Sequence, residues 1–244
     1  MVTRERRYQN AKGLGESAAV AAACAGALIA NAFGRDALKD GALVSRYARL
    51  ASGSGTRSVS GGISIWTSFP GIREEESYGT RLPFDIKDLH FVAYTDFHNI
   101  QTLNAHSIAA SSPFYSVWIR NKYDRIRHVI ESLSLSELMR LAQEDMFYLN
   151  SLLVSGGTFI QTERSMKIIR DVIEAQKMGE SIFMTADTGP SIIVMSTDKD
   201  ALDKFVKNEG SLKPLPGKIP DNPKSIANDE EIENATEFLD SAGR

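Results

Sequence analysis

Small apolar residues run almost unbroken from Ser17 to Phe33; beyond them the chain switches between helical and alternating periods. The run follows the turn Gly13-Leu14-Gly15 and stops at Gly34, which predicts a helix over 17–32 with an alanine surface able to pack closely against a sheet. A second helix is predicted over 37–50. Residues 51–62, ASGSGTRSVSGG, show no period and read as a small-residue loop. The alternating ISIWTS that follows predicts a strand, 71–81 an exposed connection, and LHFVAYT (89–95) a buried strand.

Further along, Pro113 can open a helix with Phe114, Val117, Trp118 and Ile126 on its apolar side. Ser134 and Glu137 fit a capping box for a helix reaching Leu153, and 162–177 is amphipathic. SIFMTADTGPSIIVMS gives two strand-like runs around a tight turn, and Asp198 can cap a last helix to Lys207. From Gly210 onward there are four prolines, an acidic run and little apolar content, which predicts a mobile extension without a packed core. Strands alternating with helices, several of them consecutive, give an α+β class.

Composition narrows the function classes. A net charge of −3 gives no electrostatic footprint for nucleic acid or an anionic membrane, and the arginines at 4, 6 and 7 read as a solvated terminus. The single cysteine, Cys24, excludes an intrachain disulfide and suits a cytoplasmic protein. His90, His98, His106 and His128 lack zinc-ligand spacing, so no metal role is assigned. The first helix superficially resembles a secretion signal. Against that, Glu5 and Glu16 place acid before the run, alanine supplies the apolar character, and the run is shorter than the roughly 20 strongly apolar residues of a span.

Three segments can carry chemistry. In GLGESAA, Gly13 and Gly15 let backbone N–H groups approach an anion at the start of a helix, and Ser17 can add a hydroxyl; glycine turns before helices also occur without a ligand. In SGSGTRS, Ser52, Ser54 and Arg57 offer hydroxyls and a guanidinium fork to a carboxylate or phosphate, or else form a surface loop. In TADTGPS, Asp187 either bonds its own turn or presents a rigid acid to a ligand.

Taken in order, these segments resemble the diphosphomevalonate decarboxylases of the galactokinase, homoserine kinase, mevalonate kinase and phosphomevalonate kinase superfamily. The matches are GLGESAA, SGSGTRSVSGG before an aromatic-bearing strand, SSPFYSVW (111–118) and ADTGPSIIV (186–194), within a similarity running from Asn10 to Lys207. The resemblance implies a two-layer sheet-and-helix sandwich, with residues 1–80 the remainder of a phosphate-loop domain, 81–209 a C-terminal α+β domain and 210–244 the extension. It implies a carboxy-lyase that turns a phosphorylated mevalonate into isopentenyl phosphate or diphosphate in isoprenoid biosynthesis, a cytoplasmic homodimer with no nucleic-acid or membrane partner. Asp187 matches the catalytic aspartate and Arg57 the arginine that holds the substrate carboxylate. Ser52 and Ser54 match serines near the 5-phosphoryl end, and Ser17 the phosphate-loop serine.

Three departures shape the expectation. Only a dozen residues precede Gly13, where the family carries a further segment, so the fold is expected to be N-terminally incomplete. Glu16 stands where many relatives place a serine near nucleotide phosphates; its charge repels a triphosphate unless a cation intervenes. That fits the archaeal mevalonate 3,5-bisphosphate decarboxylases, which need no ATP, or else a magnesium ligand beside ATP. Thr102 aligns near an arginine that diphosphate users offer to the substrate, which favours a single phosphate there. ATP and Mg2+ are therefore expected only for the ATP-dependent type. The competing classes are a mevalonate-type small-molecule kinase and a non-catalytic fragment or subunit that needs a partner.

Overall fold

A computed structural model describes residues 14–69, 71–96, 102–210 and 212–217. Gly13, His98, the basic N-terminus and the extension past Gly217 lie outside the described residues. The described chain divides into two compact units, 16–82 and 83–217, with Leu14 and Gly15 counted in the second.

In the first unit the alanine-rich run forms α1, Glu16–Phe33, and Gly34 ends it at φ 85°. Its small face buries Ala18, Ala21, Ala25 and Ile29. That face meets helices α2, Gly41–Ala51, and α3, Gly55–Ser60, rather than the sheet expected from sequence. Among the described residues no helix is long and apolar enough to cross a membrane. The single helix predicted over 37–50 is broken. A 3-10 turn, Arg35–Lys39, precedes Asp40, whose side chain accepts from the Leu43 amide and starts α2 afresh.

Two further differences concern the segment of most interest. Residues 51–62 are not a loop throughout, because α3 lies inside them. The predicted exposed connection contains β2, Gly79–Arg81, paired antiparallel with β1, Ser64–Trp66. It also holds the buried Ser77, which accepts from Trp66 Nε1 at 3.0 Å and donates to the Thr67 carbonyl at 3.1 Å. One hydroxyl joins these pieces. Ser45, fully buried on α2, donates to the Thr56 carbonyl of α3 at 3.0 Å and accepts from the Gly79 amide of β2 at 2.8 Å. A Cβ at Gly79 would lie 2.3 Å from the Thr56 oxygen, and one at Gly55 would lie 2.9 Å from Ala21 Cβ, so both approaches require glycine.

The second unit is built on a four-stranded antiparallel sheet in the order β4-β5-β3-β6. These strands are β3, His90–Tyr94; β4, Phe183–Thr185; β5, Ile192–Ser196; and β6, Leu215–Gly217. The helices are α4, Thr102–Ser111; α5, Tyr115–Ser132; α6, Leu135–Ser155; α7, Glu163–Lys177; and α8, Lys199–Glu209. Tyr94, Ile168, Val172, Met184, Ile192 and Phe205 make the largest core cluster, where α7 and α8 meet the sheet. Asp198 caps α8 as read from sequence, but the box expected at Ser134 and Glu137 is half formed: Ser134 Oγ accepts from the Glu137 amide, while the Glu137 carboxylate pairs with Arg140 and the Ser134 amide donates to Ser132 Oγ. Thr162 makes a full capping box with Ser165. The α+β class is borne out.

Here too the structure departs from the sequence reading. Helix α4 had no clear period and was not anticipated. The apolar side assigned to α5 is only partly buried: Trp118 and Tyr115 pack on the α4–α6 cluster, whereas Phe114 and Val117 are exposed. Trp118 Nε1 donates to Asp145 on α6 at 2.9 Å, and this bond turns that face of α5 inward. The segment after Gly210 is packed at its start, with Leu212 on the main core and β6 on the edge of β3. Pro216 is tolerated there because an edge strand has one side free of ladder bonds. Gly217 is required because a Cβ would fall 1.7 Å from the Phe91 ring.

Removing the hydroxyl that joins α2, α3 and β2 leaves a buried N–H and a buried C=O each short of a partner. Ser45→Ala is therefore expected to lower unfolding free energy by about 2 kcal/mol, read as a shifted urea midpoint at unchanged slope.

Candidate active site

The SGSGTRS segment takes its shape from backbone bonds and close packing. Ser52 leaves α2 in an extended conformation. The amides of Gly55, Thr56 and Arg57 then donate to the carbonyls of Ser52, Gly53 and Ser54. Thr56, fully buried, turns its hydroxyl back to the Gly53 carbonyl at 2.7 Å. Gly53 lies beneath the Trp66 ring, which a Cβ would approach to 3.0 Å. The result is a fixed corner rather than a loose loop. On it the Ser52 and Ser54 hydroxyls sit 3.1 Å apart, so one hydroxyl proton of the pair remains for an external acceptor. Arg57 is exposed on α3, and no described residue makes an ion pair with its guanidinium. The structure thus brings Ser52, Ser54 and Arg57 onto one short element.

Gly15 adopts φ 79° immediately before α1, the conformation a glycine turn supplies. Glu16 is the first residue of α1, and Ser17, in its first turn, is exposed. The first-turn amides of a helix have no intrahelical acceptor, which is what an anion site uses.

In the second unit, Asp187 occupies the turn between β4 and β5. The turn is unusually well buried for a loop: Thr188, Gly189, Pro190 and Ser191 are all buried, while Asp187 itself is exposed and has no described partner. On the β4 side, the Met184 amide donates to Gln143 Oε1 at 3.1 Å and Thr185 Oγ1 to the Ala142 carbonyl at 3.3 Å, so α6 covers that sheet edge. Among the described residues no backbone amide donates to the Asp187 carboxylate, so the described turn does not form the Asx bond. Thr102 opens α4.

A cavity of about 940 Å³ between α7 and Leu212 contains none of these residues; Met166, Ile169 and Ile173 line it together with Arg164 and Arg170. Nearby, the buried Tyr94 hydroxyl has no hydrogen-bond partner among the described residues. Burial raises its pKa first, and the charges of Glu209 and Asp171 add to the effect. Lys167 also titrates above its ordinary value because its ammonium donates to Asp171 and Glu209, at 2.7 and 2.8 Å. Sequence reasoning missed this cluster: its members come from β3, α7 and α8 and carry no motif.

Three comparisons bear on the site. Residues 1–79 match the diphosphomevalonate decarboxylase-like N-terminal domain. A protein of Thermoplasma acidophilum named mevalonate 3,5-bisphosphate decarboxylase is 43% identical over 208 residues, 85% of this chain and 51% of that protein. Its namesake in Thermoplasma volcanium is 46% identical over 205 residues, 84% of this chain and 55% of that protein. The resemblance read from the sequence is borne out. In three dimensions the chain superposes on the mevalonate diphosphate decarboxylase of Staphylococcus aureus with a TM-score of 0.70, at 20% identity over 84% of this chain and 67% of that one. That likeness shows the decarboxylase fold. The chain spans about half the length of the curated relatives it matches.

Both Tyr94 and Lys167 hold their protons more tightly when folded. Above the unfolded values near pH 10 the folded chain therefore loses stability as pH rises through the higher folded values, Lys167 by giving up its ion pairs and Tyr94 because a buried phenolate is costly. Tyr94→Phe is expected to match or exceed the parent by up to about 1 kcal/mol at neutral pH, since it removes an unpaired buried hydroxyl. It should also lose less stability on moving to alkaline pH. Urea unfolding at both pH values measures this.

Proposed function

We propose that this chain carries out decarboxylation of mevalonate 3,5-bisphosphate without ATP, yielding isopentenyl phosphate, carbon dioxide and inorganic phosphate. The observation that carries the reading is the 43–46% identity to two proteins of that name across more than four-fifths of the chain. Glu16 at the phosphate turn supports it, because a carboxylate at that position disfavours a nucleotide triphosphate.

The chemistry and the resemblance together assign roles to the candidate groups. The C3–O bond to phosphate breaks and its electron pair leaves with the phosphate. The C1–C2 bond then releases carbon dioxide, and its electrons form the alkene between C2 and C3. Carbon 3 is electron-poor at the intermediate point, so a fixed carboxylate lowers the energy of that point more than that of the bound substrate. Asp187 fills this role. With carbon 3 already phosphorylated, it has no hydroxyl to deprotonate. Arg57 holds the substrate carboxylate by its planar fork. The resemblance gives Ser52, Ser54 and Thr102 to the phosphate at the other end, and Gly13, Gly15 and Ser17 to a phosphate cradle.

The single cysteine supports the cytoplasm and the family resemblance supports a homodimer, and both belong to the same proposal. The second reading, an ATP- and Mg2+-dependent 5-diphosphate decarboxylase, draws on the shared fold and would give Glu16 a magnesium to bind.

Separate incubations with mevalonate 3,5-bisphosphate, 5-diphosphate and 5-phosphate, with and without ATP and Mg2+, distinguish these readings. Carbon dioxide from the bisphosphate alone is expected. Release from the diphosphate only with ATP and Mg2+ transfers the assignment to the second reading, and no release from any substrate ends both. Asp187→Asn should lower kcat by about 100-fold or more with KM little changed. Arg57→Lys should raise KM by about tenfold, because a point charge cannot make the paired contact.

A further inference from the structure

Ser191 lies four residues beyond Asp187 and is completely buried. Its hydroxyl accepts from the Asp96 amide at 3.0 Å and donates to the Asp96 carbonyl at 3.1 Å, joining positions 95 residues apart. The strand register explains why a side chain is needed. β3 and β5 pair from His90–Ser196 to Tyr94–Ile192. One further step sets Thr95 against Ser191, and the next sets Asp96 against Pro190. Proline has no N–H to donate, so the ladder cannot continue through it. The Ser191 hydroxyl, which can donate and accept at once, serves both backbone groups of Asp96 in its place.

The tether continues past Asp96. The Asp96 carboxylate accepts from Thr162 Oγ1, and Thr162 is the N-cap of α7. The Asp187 turn is therefore fixed at two ends. α6 holds its β4 side through Gln143 and Ala142, and the end of β3 holds its β5 side through Ser191. Without the second anchor the turn keeps its strands but loses the bond that sets its height at the sheet end.

We propose that Ser191 is a positioning residue whose buried hydroxyl, bonded to both backbone groups of Asp96, sets the placement of the Asp187 carboxylate. This rests on the reading of Asp187 as the group facing carbon 3. Ser191 does not touch substrate and acts through Asp187.

A double-mutant cycle on the intact chain, paired with amide hydrogen exchange, tests this. Displacing a catalytic group by an ångström costs up to about 100-fold. Ser191→Ala should therefore lower kcat 10- to 100-fold with KM unchanged, and Ser191→Thr, which keeps the hydroxyl, should recover most of it. Combined with Asp187→Asn, Ser191→Ala should add no further loss, because a displaced carboxylate that has been neutralised has nothing left to lose. Additive losses, or a KM change without a kcat change, overturn the proposal. Exchange separates this outcome from failure of the functional reading. In the parent chain the Asp96 amide should be protected, and in Ser191→Ala its exchange and that of residues 187–189 should accelerate at least tenfold while the core amides of α7 do not change. If the parent chain releases no carbon dioxide from any substrate, the functional reading has failed. An unprotected Asp96 amide in the parent chain refutes the tether whether or not the variants fold.

Discussion

Most of what the first unit offers to a ligand depends on how closely α3 can approach α2 and β2. The approach is set by one buried hydroxyl, Ser45, and by two positions where a side chain will not fit, Gly55 and Gly79. Hydrophobic burial alone could not hold this corner, since its residues are nearly all small and polar. Hydrogen bonds to buried backbone groups give it a single geometry, because leaving any of those groups unpaired is costly. Ser52, Ser54 and Arg57 inherit their placement from it.

The second unit solves the same problem by other means. A sheet whose core is large and apolar ends in a turn that must present an acid to solvent. The strands bring the turn to the right neighbourhood, and side chains of Gln143 and Ser191 finish what the ladder cannot, since Pro190 interrupts it. In both units a polar side chain replaces a missing backbone partner next to a residue assigned to chemistry. Functional segments break regular structure, and buried polar bonds supply the order that is lost.

The elements with a clear period were legible in the sequence: α1, α6, α7, α8 and the three strands around Asp187 all follow their hydrophobic pattern. What escaped was structure made by contacts distant in the chain. Helix α3 hides in a run of glycine and serine whose local preference is loop, and its contacts with α1, α2 and β2, through Ala21, Ala48, Ser45 and Gly79, are distant in the chain. Strand β2 hides in a polar segment because its partner β1 is the one with alternation. The break before Gly41 was signalled by Asp40, a good N-cap, but the apolar period ran through it. The candidate site residues were legible through motif order, since composition carries no trace of them. The Ser45, Ser191 and Lys167–Glu209 contacts carry no local signal, because each pairs residues from separate elements.

The preformed corner is open to direct measurement by amide hydrogen exchange across residues 52–60 of the free chain. If α3 is held by Ser45 and the two glycines, the amides of Gly55 to Ser58, each bonded to a carbonyl three or four residues back, should exchange as slowly as those of α2. Exchange at the rate of an unstructured peptide would show that the segment is a loose loop, and the placement of Ser52, Ser54 and Arg57 described above would be wrong.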